Sequence, residues 1–90
     1  MNVKVIDYSQ RDKNYVDYEV SGLTDNQLNY IKNHLDEEFK IEGNVLLIRM
    51  YFDDDLFPFN SNDAKFKLED FIAREEIEMN IFLSSFLEGV

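Results

Sequence analysis

Residues Leu23–Lys40 read "LTDNQLNYIKNHLDEEFK", and how far a helix runs along them decides the fold. Thr24 and Gln27 stand three apart at the positions of a capping box, in which each side chain satisfies a backbone amide that the helix leaves unpaired. Leu23 and Leu28 occupy the places of a hydrophobic staple. Asp25, in the first turn, suits the positive end of the helix dipole. From there Leu28, Ile31, Leu35 and Phe39 recur at helical spacing and make one apolar stripe, with Gly43 just beyond it. The spacing predicts a helix over Asp25–Lys40.

Working outward, "VKVIDY" (Val3–Tyr8) and "YVDYEV" (Tyr15–Val20) read as strands joined by a polar hairpin connection. The second alternates, with Val16, Tyr18 and Val20 on one face and Tyr15, Asp17 and Glu19 on the other. One buried and one wet face are expected. "NVLLIRMYF" (Asn44–Phe52) is apolar at nearly every position and reads as a central strand covered on both faces. Arg49 is its exception, a side chain whose stem packs while its head reaches water or a carboxylate.

The final third, "NDAKFKLEDFIAREEIEMNIFLSSFLEGV", carries Leu68, Ile72, Met79, Phe82, Phe86 and Val90 near one helical stripe, interrupted at Glu75 and Glu76. Asn62 or Asp63 is placed to cap it. A helix over Ala64–Glu88 would be about 37 Å long. A globule of this size is only about 32 Å across. Either the helix bends near Ala73–Glu76, or its end overhangs and packs on a second copy. The rival reading makes "IEMNIFL" a strand, with Ile77, Met79, Ile81 and Leu83 on one face. Helix is preferred because Ser84–Glu88 continue the stripe without a turn signal. The expected fold is α+β: a small three-stranded sheet with two helices in the order ββαβα, and a fourth strand near 77–83 only on the rival reading. Residues 1–90 are expected to form a single compact acidic domain.

Composition narrows function more than any motif does. With 44% apolar and 14% aromatic residues the chain can fill a core, and without cysteine it has neither disulfides nor thiolate metal sites. "MNVKVIDYSQRDKN" lacks the apolar run of a signal peptide, and no stretch approaches the roughly 20 apolar residues of a membrane span. A cytoplasmic protein is expected, and the abundance of Asn, Lys, Ile and Phe suggests a bacterium or a phage or other mobile element within one. Nineteen acids against nine bases give a net charge of −10, with both halves acidic. Such a surface repels nucleic acid and anionic membranes and attracts basic proteins.

Signals for catalysis are sparse. The one histidine, His34, falls beside Tyr30 off the apolar stripe, with no cysteine to activate. Ser84 and Ser85 read as solvent-facing helix positions. No glycine belongs to a phosphate-binding loop. Asp53–Asp55 are oxygen-rich, but Phe57 breaks the alternation an EF-hand needs. The bases form no cluster of the kind phosphate contacts require. No enzyme activity, cofactor, metal or direct nucleic-acid contact is expected.

One stretch stands out: "YFDDDLFPF" (Tyr51–Phe59), three aspartates between pairs of aromatics. The plainer account is a solvated turn whose aromatics cover the end of the core. The functional account is a binding edge, with Phe57 and Phe59 as anchors and Asp53, Asp54 and Asp55 meeting Arg and Lys across an interface. Glu75, Glu76 and Glu78 form a second acidic cluster, either a solvated helix face or part of the same surface. Phe82, Phe86 and Val90 are candidates for self-association. In kind, being small, acidic and cysteine-free, the chain resembles inhibitors such as immunity proteins and phage-encoded blockers of host nucleases, some of which mimic the charge of DNA. That likeness implies a non-enzymatic inhibitor of a basic, nucleic-acid-handling protein such as a nuclease. The alternative is a self-associating structural or adaptor domain, a homodimer at its simplest.

Overall fold

A computed structural model describes residues 1–10, 13–52 and 64–90, with the side chains of all of these except 10 and 64–67. The elements run β1 (Asn2–Gln10), β2 (Asn14–Ser21), α1 (Asp25–His34), β3 (Glu38–Glu42), β4 (Val45–Phe52) and α2 (Ala64–Phe86). The strands form one antiparallel sheet in the order β1-β2-β4-β3. The α+β class with two helices is therefore as expected. The three expected strands are β1, β2 and β4, and a fourth, β3, joins them away from 77–83.

The helix that opens at Thr24 begins as its residues predict. Gln27 N–H donates to Thr24 Oγ1 at 3.1 Å, and Thr24 N–H donates to Gln27 Oε1 at 2.9 Å. Leu28 and Ile31 face the core. The helix stops at His34 rather than Lys40, because Leu35 takes an extended conformation while its N–H still reaches Ile31 O. Continuing would place Asp36, Glu37 and Glu38 at the negative end of the dipole, which is unfavourable. Beyond them "EFKIE" alternates, and Phe39 and Ile41 turn inward from β3 instead of prolonging a helical stripe. The fourth strand is thus at Glu38–Glu42, and 77–83 is helix.

Gly43-Asn44 closes the hairpin between β3 and β4, with Glu42 opposite Val45. A two-residue turn whose twist matches the strands needs positive φ at its first central residue, and Gly43 supplies +61°.

Both helices lie on one face of the sheet. Val16, Tyr18 and Val20 of β2 and Leu46 and Ile48 of β4 pack there with Leu28, Ile31 and Leu35, and with Phe71, Met79, Leu83 and Leu87. Strand β4 is central, as its composition indicates, but the described residues cover it on this face alone. On the other, Val45, Leu47 and Arg49 are half-buried and Tyr51 is exposed.

Helix α2 runs unbroken through Ala73–Glu76. Its buried stripe is Phe71, Glu75, Met79, Leu83 and Leu87, a strict four-residue spacing that passes through a glutamate. The stripe expected from the sequence is rotated from this one. Leu68, Ile72 and Phe86 are half-buried, while Phe82 and Val90 are exposed. The longest dimension of the molecule is 45 Å.

Candidate functional site

Because side chains alternate across a strand, helices on one face leave the other half of each strand's residues on an open surface. Pairing sorts that surface into rows. Ser9, Tyr15 and Tyr51 form one row. Asp7, Asp17, Arg49 and Glu38 form the next, crossing all four strands. Lys4, Glu19, Leu47 and Lys40 make a third. Glu42 stands opposite Val45 at the end.

Arg49 is the centre of this face. Its Nε and a terminal nitrogen donate to the two oxygens of Asp17 at 2.7 and 2.9 Å, a forked pair. Glu38 lies 3.7 Å from the same Nε, and the guanidinium sits 3.8 Å from the centre of the Tyr15 ring. The hydrogen bonds to Asp17 hold the guanidinium above its already high proton affinity. Arg49 is therefore a fixed, internally neutralised cation. Tyr51 O–H donates to Glu38 Oε2 at 3.1 Å, its ring meets Tyr15 edge-on, and Lys13 Nζ stands 5.4 Å from it.

The bulge between Val5 and Asp7 in β1 re-aims the chain, and Ile6 is 48% exposed there. Ile6, Phe39, Leu47 and Ile48 line a shallow depression of about 330 Å³, whose polar rim includes Asp17, Glu38, Lys40 and Arg49. Over the whole face the five carboxylates Asp7, Asp17, Glu19, Glu38 and Glu42 outnumber the four cations Lys4, Lys13, Lys40 and Arg49. This arrangement can receive cationic side chains on carboxylates and apolar atoms on Ile6, Leu47 and Tyr51. Among the described residues no three His, Asp or Glu side chains gather closely enough to hold a metal.

A second polar feature lies inside the fold. Tyr18, 1% exposed, donates its hydroxyl to Glu75 Oε2 at 3.1 Å across the interface between sheet and α2. Burial holds the Glu75 carboxyl above the usual carboxylate range, with the Tyr18 hydroxyl pulling the other way and Glu78 adding to the rise. Burial, then the Glu75 charge, pushes the Tyr18 phenol well above its usual value. Next to it, Glu76 Oε2 accepts the Val5 N–H at 2.9 Å, satisfying an amide of the edge strand.

The residues singled out from the sequence are thus dispersed. Asp53, Asp54, Asp55, Phe57 and Phe59 lie outside the described residues. Of the acidic cluster on α2, Glu75 is buried, Glu76 is half-buried on β1, and only Glu78 is exposed. Phe82 stacks on Phe86, and Phe86 meets the Tyr30 ring of α1 at 5.3 Å. His34 also rests against Tyr30, at 4.2 Å between ring centres. The row through Arg49 lies outside the residues that the sequence singles out. Its only sequence signals are the wet alternation of Asp17 and Glu19 and a lone arginine in an apolar strand, and neither gives the register that brings them together.

Fold and surface define a small acidic α+β protein with a four-stranded sheet that the described residues leave open on one side. The chain belongs to the DUF5750 family, a family of unknown function, which it matches over residues 2–89. No curated protein matches it. No helix among the described residues is long and apolar enough to cross a membrane.

Proposed function

We propose that this chain is a non-enzymatic inhibitor that binds a basic, nucleic-acid-handling protein in the bacterial cytoplasm, using the open face of the sheet. One observation carries the reading: a net charge of −10 accompanies an uncovered sheet face where carboxylates stand in rows beside exposed tyrosine and isoleucine. Carboxylates steer a basic partner and fix its orientation, while apolar groups supply the contacts that resist dissociation. Arg49 is already satisfied by Asp17, so it offers such a partner little repulsion. The acids Asp53–Asp55, which follow β4 directly in the chain, are part of the same net charge.

Capture from a bacterial lysate followed by measurement of both binding rates tests this. The reading expects a basic partner whose nucleic-acid activity falls stoichiometrically as the chain is added. Association should slow several-fold with added salt, since screening acts within about 8 Å at physiological ionic strength. Neutralising Glu19 and Glu38 together to Gln should slow association with little effect on dissociation. A partner that is not basic, or one whose activity persists in the complex, overturns it.

A second reading, self-association, is favoured by a different observation. Ile77 and Ile81 on α2 are 61% and 62% exposed, the most exposed large apolar side chains among the described residues.

A further inference from the structure

Helix α2 presents two opposite faces. Phe71, Glu75, Met79, Leu83 and Leu87 face the sheet, and at 100° per residue the positions diametrically across from them are 74, 77, 81, 84 and 88. All of these are exposed. Their spacing of three and four residues is that of a helix–helix seam, continued past Phe86 because Leu87 and Glu88 amides still bond back to Leu83 and Ser85. The seam reads Arg74, Ile77, Ile81, Ser84, Glu88.

We propose that this seam joins two copies of the chain as an antiparallel, two-fold dimer centred on Ile81. The proposal rests on the self-association reading and specifies its interface. Arg74 and Glu88 each lie seven residues from Ile81, about 10.5 Å along the axis in opposite directions. A two-fold axis at Ile81 sets each Ile81 against its counterpart and each Arg74 against Glu88 of the second copy, twice over. Neither side chain has an ion pair within its own chain among the described residues. In the same arrangement Ile77 meets the small side chains of Ser84 and Ser85.

The relief of the surface agrees. Ile81 stands as a ridge between two depressions, one shared with Met1, Val3 and Ile77, the other with Phe82 and Phe86. A matching ridge can seat beside it without displacing Phe86 from Tyr30. A basic partner would gain little here, because the seam carries one cation, one anion and two isoleucines. A second copy finds its own complement. Since α2 lies on the side of the sheet away from the open face, such a dimer leaves both open faces free and directed apart.

Sedimentation equilibrium over micromolar to submillimolar concentrations tests the interface. Wild-type protein is expected as a dimer. Ile81→Asp should be monomeric throughout, and at protein concentrations low enough to dissociate wild type the two should melt alike, because the side chain is largely solvent-exposed in one copy. Arg74→Glu and Glu88→Arg should each weaken the dimer roughly tenfold, since either change converts two attractive pairs to repulsive ones. The double exchange should restore most of that loss. A wild-type monomer over the whole range overturns both the interface and self-association. A dimer that survives Ile81→Asp, or that the double exchange fails to restore, overturns this interface and leaves self-association to another surface.

Discussion

Removing one oxygen atom, by Tyr18→Phe, isolates the polar link between α2 and the sheet. The hydroxyl and Glu75 Oε2 are 3.1 Å apart between side chains only 1% and 9% exposed, so water does not replace the bond when it is lost. Hydrogen bonds to charged groups contribute about 1.5–3 kcal/mol, and one this long belongs at the lower end. Phenylalanine also spares the desolvation of the phenol, so the expected cost at neutral pH is about 1–2 kcal/mol. For a domain of this size that corresponds to a melting temperature lower by about 4–16 °C. The cost should also depend on pH. Glu75 titrates above the usual carboxylate range because it is buried, and the Tyr18 bond is the main influence lowering it. Without the hydroxyl the carboxyl rises further, and its charged form is left without the donor. Below the range where Glu75 ionises, the lost bond is between neutral groups and should cost about 1 kcal/mol or less. Urea unfolding of wild type, Tyr18→Phe, Glu75→Gln and the double variant, at neutral pH and near pH 4, measures both the cost and the coupling. Equal costs at the two pH values, or a neutral-pH coupling under about 0.5 kcal/mol, would refute the assignment of a charge-assisted bond.

Glu75→Gln alone should stabilise the fold at neutral pH. A carboxyl raised on folding takes up a proton, so stability falls as pH climbs from the unfolded value of about 4.3 through the raised folded one. Thermal melts should show the variant's advantage disappearing below that interval. Thr24→Ala should cost about 1 kcal/mol through loss of the cap, read by urea unfolding. Gly43→Ala should cost about 1 kcal/mol or more, because alanine resists a φ of +61°; an unchanged midpoint would mean that the turn relaxes. Glu76→Ala should leave Val5 N–H without its carboxylate, and hydrogen exchange at Val5 should accelerate while that at Ile48 does not.

The parts legible in the sequence are those set by local rules. The capping box needs only Thr24 and Gln27, and the alternation of β2 needs only its own residues. The end of α1 was harder to read, because Phe39 satisfies both periods: it continues the 28-31-35 stripe and also alternates with Lys40 and Ile41. Gly43-Asn44 was the arbitrating signal. Read as the stop of a helix it prolongs α1; read as a two-residue hairpin turn it requires strands on both sides. The Arg49 row could not be read locally at all. Its members come from four strands, and a shift of one residue in any pairing would send Asp17 or Glu38 to the other face.

Glu75 shows why charge counts alone misjudge where a partner could bind. In the sequence it interrupts an apolar stripe and joins Glu76 and Glu78 as an apparent acidic patch. In the fold, the four-residue spacing from Phe71 to Leu87 carries it under the sheet, where Tyr18 is placed to receive it. Glu76 is held by the backbone of β1. Two of the three acids therefore serve the attachment of α2 to the sheet, and the field available to a basic partner must come from elsewhere. On the described surface the open sheet face sets rows of carboxylates beside exposed apolar side chains. Reversing charge at Glu75 or Glu76 should accordingly lower stability before it alters association. Neutralising Glu19 and Glu38 should do the opposite, and comparing the two pairs separates the acids that hold the fold from those that face outward.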